Sequence, residues 1–169
     1  IGWKQTIPNK SDTGFWRLAL FQSYILTIPG VPVIYYGDEI GMPGAGDPDN
    51  RRMMLFDGYN KAQSTLKKKM DELVAIRNNN LALIYGDFNW ILNTKDQMIF
   101  SRRYFDNLVV VCINKADDQF TFQWKLPEGF KDKPIQQWSS TNAVAVGSNN
   151  SATTLKSNGL SSYILIFKQ

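Results

Sequence analysis

Pro29-Gly30-Val31-Pro32-Val33-Ile34-Tyr35-Tyr36-Gly37-Asp38-Glu39-Ile40-Gly41-Met42, followed by Asp47-Pro48-Asp49-Asn50-Arg51-Arg52-Met53-Met54, is the stretch on which the fold turns. Its run of Val, Ile and Tyr lies between a Pro-Gly turn and a Gly-acid pair, which predicts a short strand near Val31 to Tyr36 emptying into a loop. The run is apolar at successive positions, so both faces of the strand are expected to be covered, as in a parallel sheet flanked by helices.

Upstream, Thr13 to about Ile28 carries Phe15, Trp16, Leu18, Ala19, Leu20, Phe21, Tyr24, Ile25 and Leu26 nearly all the way round. That pattern predicts a helix buried on most sides, capped by Ser11 or Asp12 and ended by Pro29-Gly30. Downstream, residues 37–60 hold five glycines, two prolines and a dense set of charges, the composition of a long functional loop. A second helix is predicted from about Lys61 to Arg77, with Ala62, Leu66, Met70, Leu73 and Ile76 on one stripe and Lys67 to Lys69 on a solvated face.

After Asn78-Asn79-Asn80 the pattern becomes one of strands. Met98, Phe100 and Tyr104 alternate with Ile99, Ser101 and Arg103; Leu108 to Ile113 is continuous; and Phe120, Phe122, Trp124 and Leu126 alternate with polar residues. Further short strands are expected at Ile135 to Trp138, Ala143 to Val146 and Tyr163 to Phe167, with 147–158 as a loop. The sum is an all-β antiparallel sandwich. The expected division is 1–90 for the part organised around the first strand and 91–169 for the sandwich.

Composition narrows the function. With 169 residues, 43% of them hydrophobic, the chain can bury a core as one domain or two small ones. A net charge of +4, spread without a concentrated block, argues against a nucleic-acid partner, and no run is long and apolar enough to suggest a membrane span. The single cysteine, Cys112, rules out an internal disulfide, and its apolar neighbours make it a buried structural thiol. Because there is no histidine, Ser-His, Cys-His and His-ligated metal chemistry is excluded within these residues.

Gly30-Val31-Pro32-Val33-Ile34-Tyr35-Tyr36-Gly37-Asp38-Glu39, with Asp47-Pro48-Asp49-Asn50-Arg51, resembles the α-amylase family of glycoside hydrolases (family 13). The first block resembles that family's eighth barrel strand. The second resembles a loop of the neopullulanase and cyclomaltodextrinase branch. Leu73-Val74-Ala75-Ile76-Arg77 continues the likeness as the helix after the strand, and Tyr85-Gly86-Asp87-Phe88 as the entry to the family's C-terminal sandwich. The implied fold is an α/β barrel remnant, the last strand and flanking helices of a TIM barrel, joined to the antiparallel sandwich.

The resemblance also implies what lies elsewhere. Members of the family are retaining enzymes in which an Asp attacks the anomeric carbon and a Glu protonates the leaving oxygen, the carboxyls about 5 Å apart. A further Asp follows an Asn-His pair. None of these positions matches a residue here, so no catalytic residue is assigned. The implied function is the C-terminal portion of a glycosidase acting on α-glucosidic bonds of starch-type glucans, inactive alone. A carbohydrate-binding or docking module and a catalytically dead amylase-like protein are the alternatives. No cofactor is expected in the chain, since the family's calcium site lies upstream. Self-association or a partner chain is expected to cover the truncated barrel.

By the same resemblance, Asp47 and Arg51 contact glucose hydroxyls, a carboxylate accepting from vicinal hydroxyls and a guanidinium fork donating to oxygens. The bland alternative is an Asp47–Arg51 ion pair that only shapes the loop. Tyr36, Gly37, Asp38 and Glu39 are read as support for that loop. Asp38 and Glu39, adjacent in an extended chain, are expected to point to opposite sides and so not to flank one bond. Tyr36 is weighed as a ring that stacks on a sugar but expected to be a buried strand aromatic, Arg52, Met53 and Met54 are expected to anchor the loop, and Trp90, Trp124 and Trp138 are weighed as a sugar platform, with Trp124 expected in the core.

Overall fold

A computed structural model describes residues 12–131, 133–141, 146–149 and 152–169. Among the described residues, eight strands form two antiparallel sheets. The larger has the order β1-β2-β3-β8-β5, from β1 (Asp87–Asn93), β2 (Gln97–Tyr104), β3 (Asn107–Asn114), β8 (Ser161–Lys168) and β5 (Gln136–Ser139). The smaller has the order β4-β7-β6, from β4 (Phe120–Trp124), β7 (Ala152–Ser157) and β6 (Val146–Asn149). Helices α1 (Asp12–Thr27), α2 (Lys61–Asn79) and the short α3 (Leu81–Tyr85) lie on the outer face of the larger sheet.

The three layers follow from side-chain alternation. Along β3, Val109, Val111 and Ile113 face the helices while Leu108, Val110 and Cys112 face the smaller sheet. Every residue of β3 is buried, which is why its sequence reads as a continuous apolar run. β8 repeats the pattern, Ile164 and Ile166 toward the helices and Tyr163, Leu165 and Phe167 toward Phe122, Trp124 and Leu155. Each such large side chain contributes about 2 kcal/mol on burial. Cys112 is wholly buried, and desolvation pushes its thiol far above the ordinary range, so it is chemically quiet.

Polar contacts tie the layers together. The Ser23 hydroxyl donates to that of Ser162 at 2.8 Å, joining α1 to β8. The Trp138 indole N–H donates to Glu72 Oε2 at 2.8 Å and the Lys69 ammonium to the Ser139 carbonyl at 2.7 Å, joining α2 to β5. α2 begins in a capping box, with the Asn60 side chain accepting from the Gln63 N–H and Gln63 returning the bond to the Asn60 N–H.

Three sequence expectations are corrected. Residues 31–36 form no strand: no ladder reaches the segment among the described residues, and Val31 and Val33 are 88% and 82% exposed. A parallel strand needs a neighbour to pair with, and the described sheets are both antiparallel and lie elsewhere. α1 is buried on one face only. Trp16 and Phe21 are exposed, while Gln22, Ser23 and Thr27 fill the inner face through hydrogen bonds. The expected loop 147–158 instead contributes two paired strands, β6 and β7, because Thr153, Leu155 and Ser157 are buried in alternation with the less buried Ala152, Thr154 and Lys156. Two elements were not foreseen, α3 and β1; the latter starts at Asp87 and runs across residue 90. The expected cap Ser11 and most of the expected strand at Ala143 to Val146 lie outside the described residues.

Candidate functional site

The loop after residues 31–36 is shaped by glycines at two positive-φ points. Gly37 (φ 92°) and Gly41 (φ 60°) bracket a 3-10 turn, Asp38–Ile40. Gly41 has a second reason to lack a side chain, since a Cβ there would sit 2.7 Å from the Phe15 ring. Glu39 folds back so that Oε2 accepts the Gly37 N–H at 2.8 Å. Its carboxylate is thus occupied by its own turn. Asp38 is half-buried and desolvation raises its carboxyl, while the Gln22 amide donates to its backbone carbonyl at 2.8 Å. The two acids are held by a turn and not by an extended chain, which replaces the expected reason for their failure to act together with a different one.

The second block folds as a clamp around a 3-10 turn, Asp49–Arg51, entered through a cis Asp47-Pro48 bond. Arg52 donates through Nε to Asp49 Oδ1 at 2.7 Å and through Nη2 to Oδ2 at 2.6 Å. This is the bidentate fork of a guanidinium on a carboxylate, and it holds the Asp49 carboxyl below its ordinary range. The Tyr36 hydroxyl donates to the Arg52 carbonyl at 2.9 Å, and its ring packs 4.7 Å from that of Tyr35. Tyr36 is therefore an exposed strut from residues 31–36 to the clamp; the expected buried strand aromatic does not form, because no sheet covers the segment. Arg52 anchors the loop as expected, whereas Met53 is almost wholly exposed and anchors nothing.

Asp47 and Arg51 stand on the outer side of the clamp. Arg51 Nη2 lies 3.3 Å from Asp47 Oδ1, with the side chains 64% and 65% exposed. So open an ion pair is worth at most about 1 kcal/mol, too little to lock either group away from another ligand. The tight pair, Asp49–Arg52, builds the loop; the loose pair is free to exchange partners.

Asp49 gives a sign-checked pH expectation. Its folded-state carboxyl titrates below the ordinary 3.8, so the clamp's contribution is complete above that value and is lost as pH falls through the lower, folded value. The Arg52 Nε–H resonance is expected to stay shifted and protected down to about pH 4 and to collapse toward the free position in more acid solution. A collapse already complete at pH 5 would contradict the clamp.

Of the three tryptophans weighed as a platform, Trp124 and Trp138 are buried and serve the core, and only Trp90 is exposed. Two functional positions escaped sequence reasoning. Arg77 donates to the carbonyls of Leu26, Ile28 and Gly30, and Arg102 to those of Thr27, Leu83, Gly86 and Asp87. α1 has no basic residue in its last turn, so these two guanidinium groups supply the positive charge its C-terminus favours. They fix the angle at which residues 28–36 leave the helix. Arg102 could have been found from its row: Met98, Phe100 and Tyr104 at the same parity all pack against the helical core.

Among the described residues, no group of three or more His, Cys, Asp or Glu is placed to hold a metal ion, and no helix is long and apolar enough to cross a membrane.

The class is defined by the fold: a small antiparallel β-sandwich with helices packed on one sheet, and an unpaired, largely exposed segment that runs into a clamped loop. No protein-family model matches the chain. It is 35% identical over 135 residues to a cyclomaltodextrin glucanotransferase of Geobacillus stearothermophilus, covering 75% of this chain and 18% of that enzyme. It is 33% identical over 116 residues to a cyclomaltodextrinase of Thermoanaerobacter pseudethanolicus, covering 69% and 20%. Over 136 residues it is 35% identical to an α-amylase of Niallia circulans, covering 76% and 25%. The chain thus spans a fifth to a quarter of the length of these relatives. In structure it superposes on an α-amylase of Geobacillus thermoleovorans with a TM-score of 0.78 at 24% identity, over 92% of this chain and 34% of that one. A debranching enzyme of Nostoc punctiforme gives 0.70 at 26% identity, over 88% and 30%. The chain is a relative of the α-amylase family of glycoside hydrolases, as the resemblance of its Gly30 to Glu39 block implies.

Proposed function

We propose that this chain is the C-terminal portion of a retaining glycosidase that cleaves, or transfers across, α-glucosidic bonds of starch-type glucans. On this reading residues 12–79 are the last strand of a (β/α)8 barrel and its two flanking helices, and Val31 to Tyr36 is that strand without its neighbours. One observation carries the reading. An apolar segment with Val31, Val33, Tyr35 and Tyr36 exposed lies without strand partners between two packed helices, and it runs directly into a clamped loop that presents a loose Asp47–Arg51 pair. The superposition supports it, because 92% coverage extends well beyond the sandwich into the helices and the loop. So does the length of the relatives, which leaves room for the rest of a barrel.

Asp47 and Arg51 then line one wall of a cleft, with Asp47 accepting from two vicinal glucose hydroxyls and Arg51 donating to sugar oxygens once their mutual contact opens. Asp49, Arg52 and Tyr36 hold the turn that aims them; Gly37, Asp38 and Glu39 form its base. Attack and protonation belong to carboxyls outside this chain, and calcium, where used, binds outside it too. The test is kinetic and uses the longer polypeptide that contains these residues. Asp47→Ala and Arg51→Ala are each expected to raise KM for maltotriose about tenfold while kcat changes less than about threefold, the pattern of lost ground-state binding. Unchanged KM in both variants would remove the sugar-contact assignment and leave the pair a loop-shaping one.

A further inference from the structure

A cavity of about 510 Å³ lies at the seam where α1 meets the larger sheet. Its walls are Leu20, Phe21 and Tyr24 of α1, Met98 of β2, Ile113 of β3, and Leu160 of the turn between β7 and β8. Leu160 holds its wall in a costly backbone conformation, with φ at 45° in the left-handed region, where a bulky side chain is rarely found. The turn is pinned to the sheet, since the Leu160 N–H donates to the Ala116 carbonyl at 2.8 Å. Phe21 is exposed, so the cavity opens to solvent along the helix.

Three charged side chains, Arg17, Asp96 and Lys115, complete the lining. Among the described residues they make no side-chain hydrogen bond or ion pair, and the Tyr24 hydroxyl has no hydrogen-bond partner either. Gln97 pairs with Asn114, so Asp96 and Lys115 stand opposite each other just beyond the ladder, and the Lys115 N–H donates to the Asp96 carbonyl at 2.7 Å. Their charges offset each other at that end of the cavity. Arg17 reaches it from the helix with no carboxylate paired to it, which leaves the lining net positive.

We propose that this cavity binds a small monocarboxylate with an apolar body, an aryl- or branched-alkyl carboxylic acid. Its volume falls in the range of small-molecule sites, roughly 300 to 1,000 Å³, and so does its make-up of apolar walls with a few convergent polar groups. The body packs among Leu20, Met98, Ile113 and Leu160. The carboxylate accepts from the guanidinium of Arg17, which offers two parallel N–H donors, and from the free Tyr24 hydroxyl. A polyhydroxylated ligand is disfavoured, because the apolar walls would leave its hydroxyls unpaired. The bound acid spans helix and sheet, so it stabilises their junction. The site shares no residue with the loop that carries Asp47 and Arg51, and it does not depend on the function proposed above.

The test is titration of the 169-residue chain with hydrocinnamate, followed by methyl NMR. Saturable shifts are expected at the methyl groups of Leu20, Met98, Ile113 and Leu160, and the saturated chain should melt at a higher temperature. Hydrocinnamamide, the neutral analogue of the same shape, should bind about tenfold more weakly. Arg17→Gln should weaken hydrocinnamate about tenfold, to the affinity of the amide, with the melting temperature of the free chain unchanged because Arg17 is exposed and unpaired. Asp96→Asn should tighten binding about threefold by removing the one like charge. Absence of saturable shifts, shifts away from the cavity, equal binding of acid and amide, full affinity in Arg17→Gln, or weaker binding by Asp96→Asn would overturn the proposal.

Discussion

Replacing Arg102 with alanine is expected to destabilise the fold by about 4 kcal/mol, the range seen when a buried charged group is removed from its partners. Arg102 is 1% exposed, and its guanidinium donates to four carbonyls that belong to three different elements. Thr27 ends α1, Leu83 lies within α3, which Gly86 follows, and Asp87 opens β1. The carbonyl dipoles answer the charge at close range and the Asp87 carboxylate supports it, while desolvation and then the nearby Arg77 lower its pKa; a guanidinium stays charged at physiological pH. Alanine would leave the carbonyls without donors and a cavity where the side chain passed, two costs that add. For a chain of this size the melting temperature should fall by roughly 10 °C. Arg102→Lys should recover only part of this, because an ammonium cannot reach both sides of the junction. A melting temperature within about 2 °C of the parent in Arg102→Ala would mean that the junction is held by packing alone.

The second large effect is on catalysis. The 169-residue chain is expected to release no reducing sugar from soluble starch or maltotriose, while the longer polypeptide containing it does. A retaining mechanism needs two carboxyls about 5 Å apart across one bond. Two acids of the loop are committed otherwise, Glu39 to the Gly37 amide and Asp49 to Arg52, and Asp47 stands exposed in its loose pair with Arg51. Asp38 is the one whose carboxyl is raised, but its neighbour Glu39 is folded into its own turn and no second carboxyl is set against it. Turnover by a pure sample of the chain would contradict the proposed division of labour.

The sequence showed most where a residue's partners lie within the chain. α2 was legible from its stripe of Leu66, Met70, Leu73 and Ile76, all of which are buried, the last three in the core under the sheet and Leu66 beside the Gly41 turn. β3 was legible because it is central and buried on both faces. Residues 31–36 carry the same kind of apolar run and form no strand, because no described strand lies beside them to take up their hydrogen bonds. α1 was expected to be buried nearly all round, yet Trp16 and Phe21 are exposed, because the described elements pack on its other face. The hairpin of β6 and β7 was hidden for the opposite reason: in a sheet with one solvated face, half of each strand is Ser, Thr or Asn and looks like loop. At the site, the residues of the loop were legible but their pairing was not. Sequence spacing permits Asp47–Arg51 and Asp49–Arg52 equally, and only the fold makes the second tight and the first loose.

The claim at the centre of this account is that Val31 to Tyr36 is a barrel strand without partners. Amide hydrogen exchange tests it directly, comparing this chain with the longer polypeptide. In the 169-residue chain, the amides of Val31, Val33, Ile34, Tyr35 and Tyr36 should exchange at nearly the unprotected rate, while those of Val109, Val111 and Ile113 in β3 are slow. In the longer polypeptide the same five amides should slow by about a thousandfold or more, as parallel neighbours take up their hydrogen bonds. Equal and rapid exchange in both would contradict the account, since the segment would then be a surface loop and not a strand of any barrel.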